Sequence, residues 1–472
     1  MKNSLWNYLL LIIFIFSIFL GLYRFYPYFI SDIPLGYDPG LYRGMFLEYY
    51  NNLPKIDFSG LNLFTKQAFP PFLGFLGNIL FIIGFNVDWL IGFGLAFFSV
   101  ITSIYIYLYL KKYGFYTAIF GMIIFFTSII QYKVFYLNYY KQILGIIFIL
   151  SSIYLLERKK YLLSIPIIVS LFALHRPSGL FFLLLFLIYK IFNLIKTFRG
   201  TKLDIYAVIF SGLMALVLYI PLLDYLILPL LSPLFSLYSI SGSSGTFFSL
   251  YEFFSINNVI ILFSFYGLYL KIRKKNLDFT FSGYLLGFIW VLFGLFFYSR
   301  MLIFFDIFII ITAAYGFGVL FKQNKKFFIV FILFFSLQSY NYTSYVYRYN
   351  KPYIGNKEFK KVKELDDLLP SNSMLMTSHK NYSPRLYGYT KFDIIAPGLF
   401  EYDLWTKDEW KKWWSVDGKV KCEMLKDYNI YKKQVYFWLG DDQKPENLDN
   451  GKCFDLIYKN ANNKIFKVKY EK

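Results

Sequence analysis

Apolar side chains run along this chain in unbroken blocks rather than in alternation. Twelve such blocks lie near 5–26, 69–86, 88–110, 114–131, 139–156, 161–175, 178–195, 203–223, 256–273, 279–298, 301–321 and 326–345. Most run for about 17–24 residues, the length that crosses a bilayer core as a helix. Continuous rather than alternating blocks predict helices, which satisfy their own backbone polar groups in lipid, and not barrel strands. From about residue 350 the pattern changes. Asp, Glu, Lys and Asn occur throughout, and the apolar runs "SMLMT", "QVYFWLG", "FDLIY" and "KIFKV" have the length of strands. A helical stretch from Lys357 to Leu369 ends at Pro370. The expected architecture is therefore a polytopic α-helical membrane domain over 1–349 and a soluble α/β domain over 350–472.

Composition agrees with the pattern: 57% of the residues are hydrophobic and 17% charged, more apolar surface than a soluble core of this size can hide. The formal charge of +20 does not point to nucleic acid, because much of the Lys and Arg sits in short clusters between apolar blocks, where it sets topology. The clusters also decide the number of spans. If the block at 69–86 does not cross, Lys111 and Lys112, Arg158 to Lys160, Lys190 to Lys202, Lys271 to Lys275 and Lys322 to Lys326 all face the cytoplasm. That places about sixteen basic residues inside against about four in the short outer loops. The block at 69–86 opens with Pro70-Pro71 and carries Gly74, Gly77 and Gly84, which suits an interfacial or re-entrant helix. About eleven transmembrane helices plus one interfacial helix follow. The N-terminus is then cytoplasmic, the first helix is retained, and the C-terminal domain is extracytoplasmic.

This topology gathers the chemistry on one face. A long loop over about 27–87 and a second over 224–255 lie outside, and loops of that length in a membrane protein are expected to be functional. In the first, Asp38 stands between Gly36-Tyr37 and Pro39-Gly40, a turn composition that presents a side chain at the start of a helix; a helix cap is the plainer role for it. Arg43, five residues on, is close enough to help hold an anionic group. The other outer cations are Lys141, Arg176 and Arg300, the last at the mouth of a span, where interfacial snorkelling is its alternative role. His175 with Arg176 breaks two apolar blocks beside Pro177. Glu252 is the further outer carboxylate. Asp306, about two turns into a span, is expected to pair with one of these cations, since an intramembrane carboxylate is costly alone. Cys422 and Cys453 make no metal-ligand spacing and are open to a disulfide in an oxidising compartment.

"GYDPGLYR" in the first outer loop, the later "FPPFLGFLGNIL" and the multi-span core with an outer domain resemble GT-C membrane glycosyltransferases. That superfamily includes protein O-mannosyltransferases, the aminoarabinose transferases of lipid A and the oligosaccharyltransferase catalytic subunits. The resemblance implies that Asp38 takes the place of the acidic catalytic residue of the first loop. Pro70-Pro71 matches the His-Pro-Pro segment of the mannosyltransferases, with Phe69 where they carry His. It further implies a donor sugar on a polyprenyl phosphate such as dolichyl phosphate, and a protein, lipid or glycan acceptor. Arg43, Lys141, His175, Arg176, Glu252 and Arg300 would be the substrate-binding residues. No cofactor is required, a divalent metal entering only for an oligosaccharyltransferase-like enzyme. "KKWWSVDGK" lies near the WWDxG acceptor motif of oligosaccharyltransferases but departs from it, because Ser415 and Val416 separate Trp414 from Asp417. En bloc glycan transfer, and a lipid or sugar transporter or flippase without catalysis, are the alternatives.

Overall fold

A computed structural model describes residues 2–51, 63–68, 70–197, 202–220, 247–295, 297–377, 381–398, 404–440, 453–460 and 463–469. Parts of both loops expected to lie outside, residues 52–62 and 224–246, and Phe69 are not among these. Among the described residues, eight helices are long and apolar enough to cross a membrane, or nine if the bent pair Phe115–Phe126 and Ile129–Tyr136 is one span. The 14-residue apolar helices Tyr161–Leu174 and Phe279–Leu292, each about 21 Å long, are also shorter than the bilayer core and reach the expected eleven only if they too cross. The block at 69–86 yields only Pro71–Ile82, 12 residues. At 1.5 Å per residue it is about 18 Å long, short of the ~30 Å bilayer core.

The chain divides into two compact units. The first holds Met1–Ile30, Pro70–Leu73 and Gly92–Asn350; the second holds Ser31–Phe69, Gly74–Ile91 and Lys351–Lys472. Compared with a single cut at 349/350, the structure groups most of the first loop with the C-terminal segment.

In the membrane unit the helix Tyr298–Gln323 is almost wholly buried inside the protein. Glycines let its neighbours approach. A Cβ at Gly267 would collide with the Thr312 carbonyl, and one at Gly283 with the Phe308 ring, the small-residue packing typical of helices in lipid. The block at 114–131 is not the continuous helix that its hydrophobicity predicts: it bends by 53° at Thr127-Ser128. Thr127 donates its hydroxyl back to Ile123 O at 3.0 Å, and Ser128 caps the second half by accepting from Gln131 N at 3.1 Å. Gln338 satisfies the Thr127 carbonyl at 2.9 Å, so the break leaves that group paired. Several lysines of the expected cytoplasmic clusters also bind acids: Lys112 with Glu157, Lys190 with Asp204, and fully buried Lys271 with Asp278 at 2.9 Å.

The second unit contains a five-stranded sheet in the order β2-β1-β3-β5-β4. Its strands are β1 (Ser373–Thr377), β2 (Asp393–Ile394), β3 (Gln434–Leu439), β4 (Phe454–Asn460) and β5 (Asn463–Val468). β1 lies parallel to β2 and β3, with Leu375 opposite Tyr436, while β5 runs antiparallel to β3 and β4. One face packs on Trp405, Trp410 and Trp413, and a Cys422–Cys453 disulfide lies in the same core.

Candidate functional site

The second unit carries the first-loop carboxylate. Gly36 has φ +73°, a left-handed turn that glycine adopts without steric cost, and Pro39 starts the helix Pro39–Asn51. The Asp38 carbonyl accepts from Tyr42 N at 3.1 Å, which puts Asp38 at the N-cap position. Asp38 is partly exposed. The turn is held from the C-terminal segment. Arg385, fully buried on the short helix Ser383–Tyr389, donates to the carbonyl of Gly36, to Tyr37 O at 3.4 Å and to Asn381 O at 2.9 Å. Burial raises the Tyr353 hydroxyl pKa, the charge of Arg385 lowers it, and that of Asp38 raises it, so these three groups share one electrostatic neighbourhood.

Arg43 has a different job from the one expected. Its guanidinium pairs with Asp88 at 2.7 Å, donates to the Gly388 carbonyl and stacks over Tyr389 at 4.6 Å. It is spent on joining the helix Pro39–Asn51 to its neighbours, because Tyr389 and Asp88 flank it on both sides. Glu48, the next carboxylate of that helix, accepts from Tyr387 OH at 2.7 Å.

The membrane unit carries the remaining candidates, and it brings four of them together. His175 caps the helix Tyr161–Leu174, is buried, and shares a 2.6 Å hydrogen bond between Nδ1 and Ser178 Oγ. Burial first, and then the charges of Lys141, Arg300 and Arg176, hold its pKa well below the usual histidine value. Its surroundings therefore disfavour the protonated imidazole. Arg300 lies over the Tyr139 ring at 5.2 Å, a ring placed by the left-handed Asn138 before it (φ +57°). Among the described residues, buried Arg300 Nε and Arg176 Nη1 have no hydrogen-bond partner and neither arginine is in an ion pair. Buried donors of that kind are rare and demand an explanation.

Glu252 is not in this group. It is the third residue of the helix Leu250–Arg273 and closes a capping box with Ser249, at 2.8 and 3.2 Å, beside the charge of Lys133. Asp306 does not pair with a cation as expected. It accepts from Ser128 Oγ at 3.0 Å and Gln131 Nε2 at 2.8 Å, both at the break of the bent helix pair, and from Asn257 Nδ2 at 2.8 Å on the helix Leu250–Arg273. Trp413 is a buried core residue, with Trp414 packed against the same core, and Asp417 caps the helix Gly418–Leu425. These residues build the domain.

No family model matches this sequence, and no curated protein does. Solved structures match in fold. The chain is similar to the oligosaccharyltransferase of Archaeoglobus fulgidus in the apo form, with a TM-score of 0.66 and 11% identity, covering 91% of this chain and 69% of that one. It is also similar to ArnT from Cupriavidus metallidurans bound to undecaprenyl phosphate, with a TM-score of 0.60 and 10% identity, covering 99% of this chain and 98% of that one. The apo state of that ArnT gives 0.57 at the same coverage. The chain thus shares the fold of these two membrane proteins, and its long apolar helices are those of a multi-pass membrane protein.

Proposed function

We propose that this protein is a membrane glycosyltransferase that moves a sugar from a polyprenyl-phosphate-linked donor to an acceptor on the outer face of the membrane. The observation that carries the reading is the cation group around His175, where Arg176 and Arg300 keep buried donors without partners among the described residues. A lipid phosphate has the charge and the acceptor oxygens such a group lacks, and a structure of the same fold is bound to undecaprenyl phosphate.

The reaction needs two services. As the acceptor oxygen attacks the anomeric carbon, the bond from that carbon to the phosphate oxygen breaks and negative charge grows on the leaving polyprenyl phosphate. Arg176, Arg300 and Lys141 would stabilise that charge. The acceptor hydroxyl must also lose its proton, and we assign that proton to the Asp38 carboxylate, a general base worth about 10²–10⁴-fold. Neutral His175 would donate or accept a hydrogen bond without adding charge, its tautomer set by Ser178. We propose that no metal takes part. In the unit that holds Asp38, Glu48 accepts from Tyr387 and Asp88 is paired with Arg43, which leaves a poor ligand set for a divalent ion.

The A. fulgidus likeness favours en bloc oligosaccharide transfer as a second reading, and the core role of Trp413 weighs against it. The test is sugar transfer by purified protein in liposomes supplied with radiolabelled polyprenyl-phosphate hexoses and pentoses. Transfer of a single sugar, reduced about 10²–10⁴-fold in Asp38→Asn, supports the proposal. Movement of the lipid across the bilayer with no transfer to any acceptor would make the protein a flippase instead.

A further inference from the structure

We infer that Arg385 is a positioning residue for Asp38, so that the C-terminal segment sets the geometry of the first-loop carboxylate; this rests on Asp38 being the base. Three observations within the second unit carry it. Arg385 is fully buried, and its guanidinium fork donates to the carbonyls of Gly36 and Tyr37, the two residues immediately before Asp38. The same side chain reaches Asn381 O at 2.9 Å, tying the turn to its own helix start. The backbones also meet directly: a Cβ at Gly40 would collide with the Pro384 carbonyl, and one at Gly388 with the Gly40 backbone.

A planar guanidinium bonding neighbouring carbonyls fixes a peptide turn in orientation as well as distance, which a lysine ammonium does not do. Asp38 follows those carbonyls by one peptide unit and begins a helix whose first turn is pressed against Ser383–Tyr389. Its carboxylate is therefore aimed by a residue about 350 positions away in sequence. Displacement of a reacting group by about 1 Å costs on the order of 10²-fold in rate, so a residue that never touches substrate can control turnover.

The experiment combines hydrogen–deuterium exchange with turnover of radiolabelled polyprenyl-phosphate hexoses. Arg385→Ala should speed exchange in peptides covering residues 31–42 at least ~10-fold, with β3 peptides unchanged, and lower kcat roughly 10–100-fold at a donor KM within about twofold of wild type. Arg385→Lys keeps the buried charge but not the fork, and should recover at most part of the rate. Should Arg385→Ala not fold, Arg385→Lys and Gly40→Ala carry the same test. In an Asp38→Asn background, loss of Arg385 should cost nothing more. Unchanged exchange over 31–42 in a folded variant, or a full additional loss in the Asp38→Asn background, would overturn the inference. A fully active Asp38→Asn would sink the base assignment alone, and the exchange result would then judge the anchoring by itself.

Discussion

Arg43 Nε lies 2.7 Å from Asp88 Oδ1, joining the helix Pro39–Asn51 to the helix Val87–Ile91 across 45 residues of sequence. The pair is partly exposed, so its own contribution to stability is about 0–1 kcal/mol. The bond to Gly388 and the stacking on Tyr389 add to it. Arg43→Ala is expected to lower stability by about 1–2 kcal/mol and to leave the affinity for polyprenyl phosphate within about twofold of wild type. Thermal unfolding in detergent and lipid binding measured on the same preparation check this. A large loss of lipid affinity without loss of stability would return Arg43 to the substrate.

Asp306 is the shared acceptor of Ser128, Gln131 and Asn257. Asp306→Ala leaves three buried donors without it and should destabilise by about 3 kcal/mol, whereas Asp306→Asn keeps one acceptor oxygen and should cost less. Thermal unfolding of both variants measures the difference. Equal stability of Asp306→Ala and wild type would mean that these donors find other acceptors.

The Cys422–Cys453 bridge closes a loop of 31 residues in the core of the sheet. Reduction, or the double change to Ser, is expected to cost about 3–4 kcal/mol. The loss should be confined to the second unit, so unfolding followed at its Trp residues should shift before helical signal is lost.

The lysine clusters predict an orientation, and labelling tests it. Single cysteines replacing Asp32, Lys111, Lys274 and Asp367, all exposed, should react with an impermeant thiol reagent in two groups. Positions 32 and 367 should label from outside, and 111 and 274 only after permeabilisation. Position 111 labelling together with 367 would contradict the eleven-span arrangement.

Much of this was legible in the sequence because it depends on local pattern. The runs "SMLMT", "QVYFWLG", "FDLIY" and "KIFKV" became β1, β3, β4 and β5, whereas β2, two residues long, had too little pattern to show. The bend at Thr127-Ser128 was hidden by apolar neighbours on both sides. A Thr-Ser pair was its one trace, since both hydroxyls compete for backbone groups. Pairings set by tertiary contact could not be read. Asp88 lies 45 residues from Arg43, and Gly36 lies 349 from Arg385, so nothing near Arg385 in sequence marked it. The cations Lys141, Arg176 and Arg300 were visible singly, and their gathering around His175 needed the fold.

The most direct measurement is the affinity of purified protein for undecaprenyl phosphate against uncharged undecaprenol, in wild type and in Arg176→Gln/Arg300→Gln. If the cation group holds the donor's phosphate, wild type should prefer the phosphate by at least about tenfold, and the double variant should lose most of that preference while still binding the chain. Equal affinity of wild type for phosphate and alcohol, or an unchanged preference in the folded double variant, would contradict it.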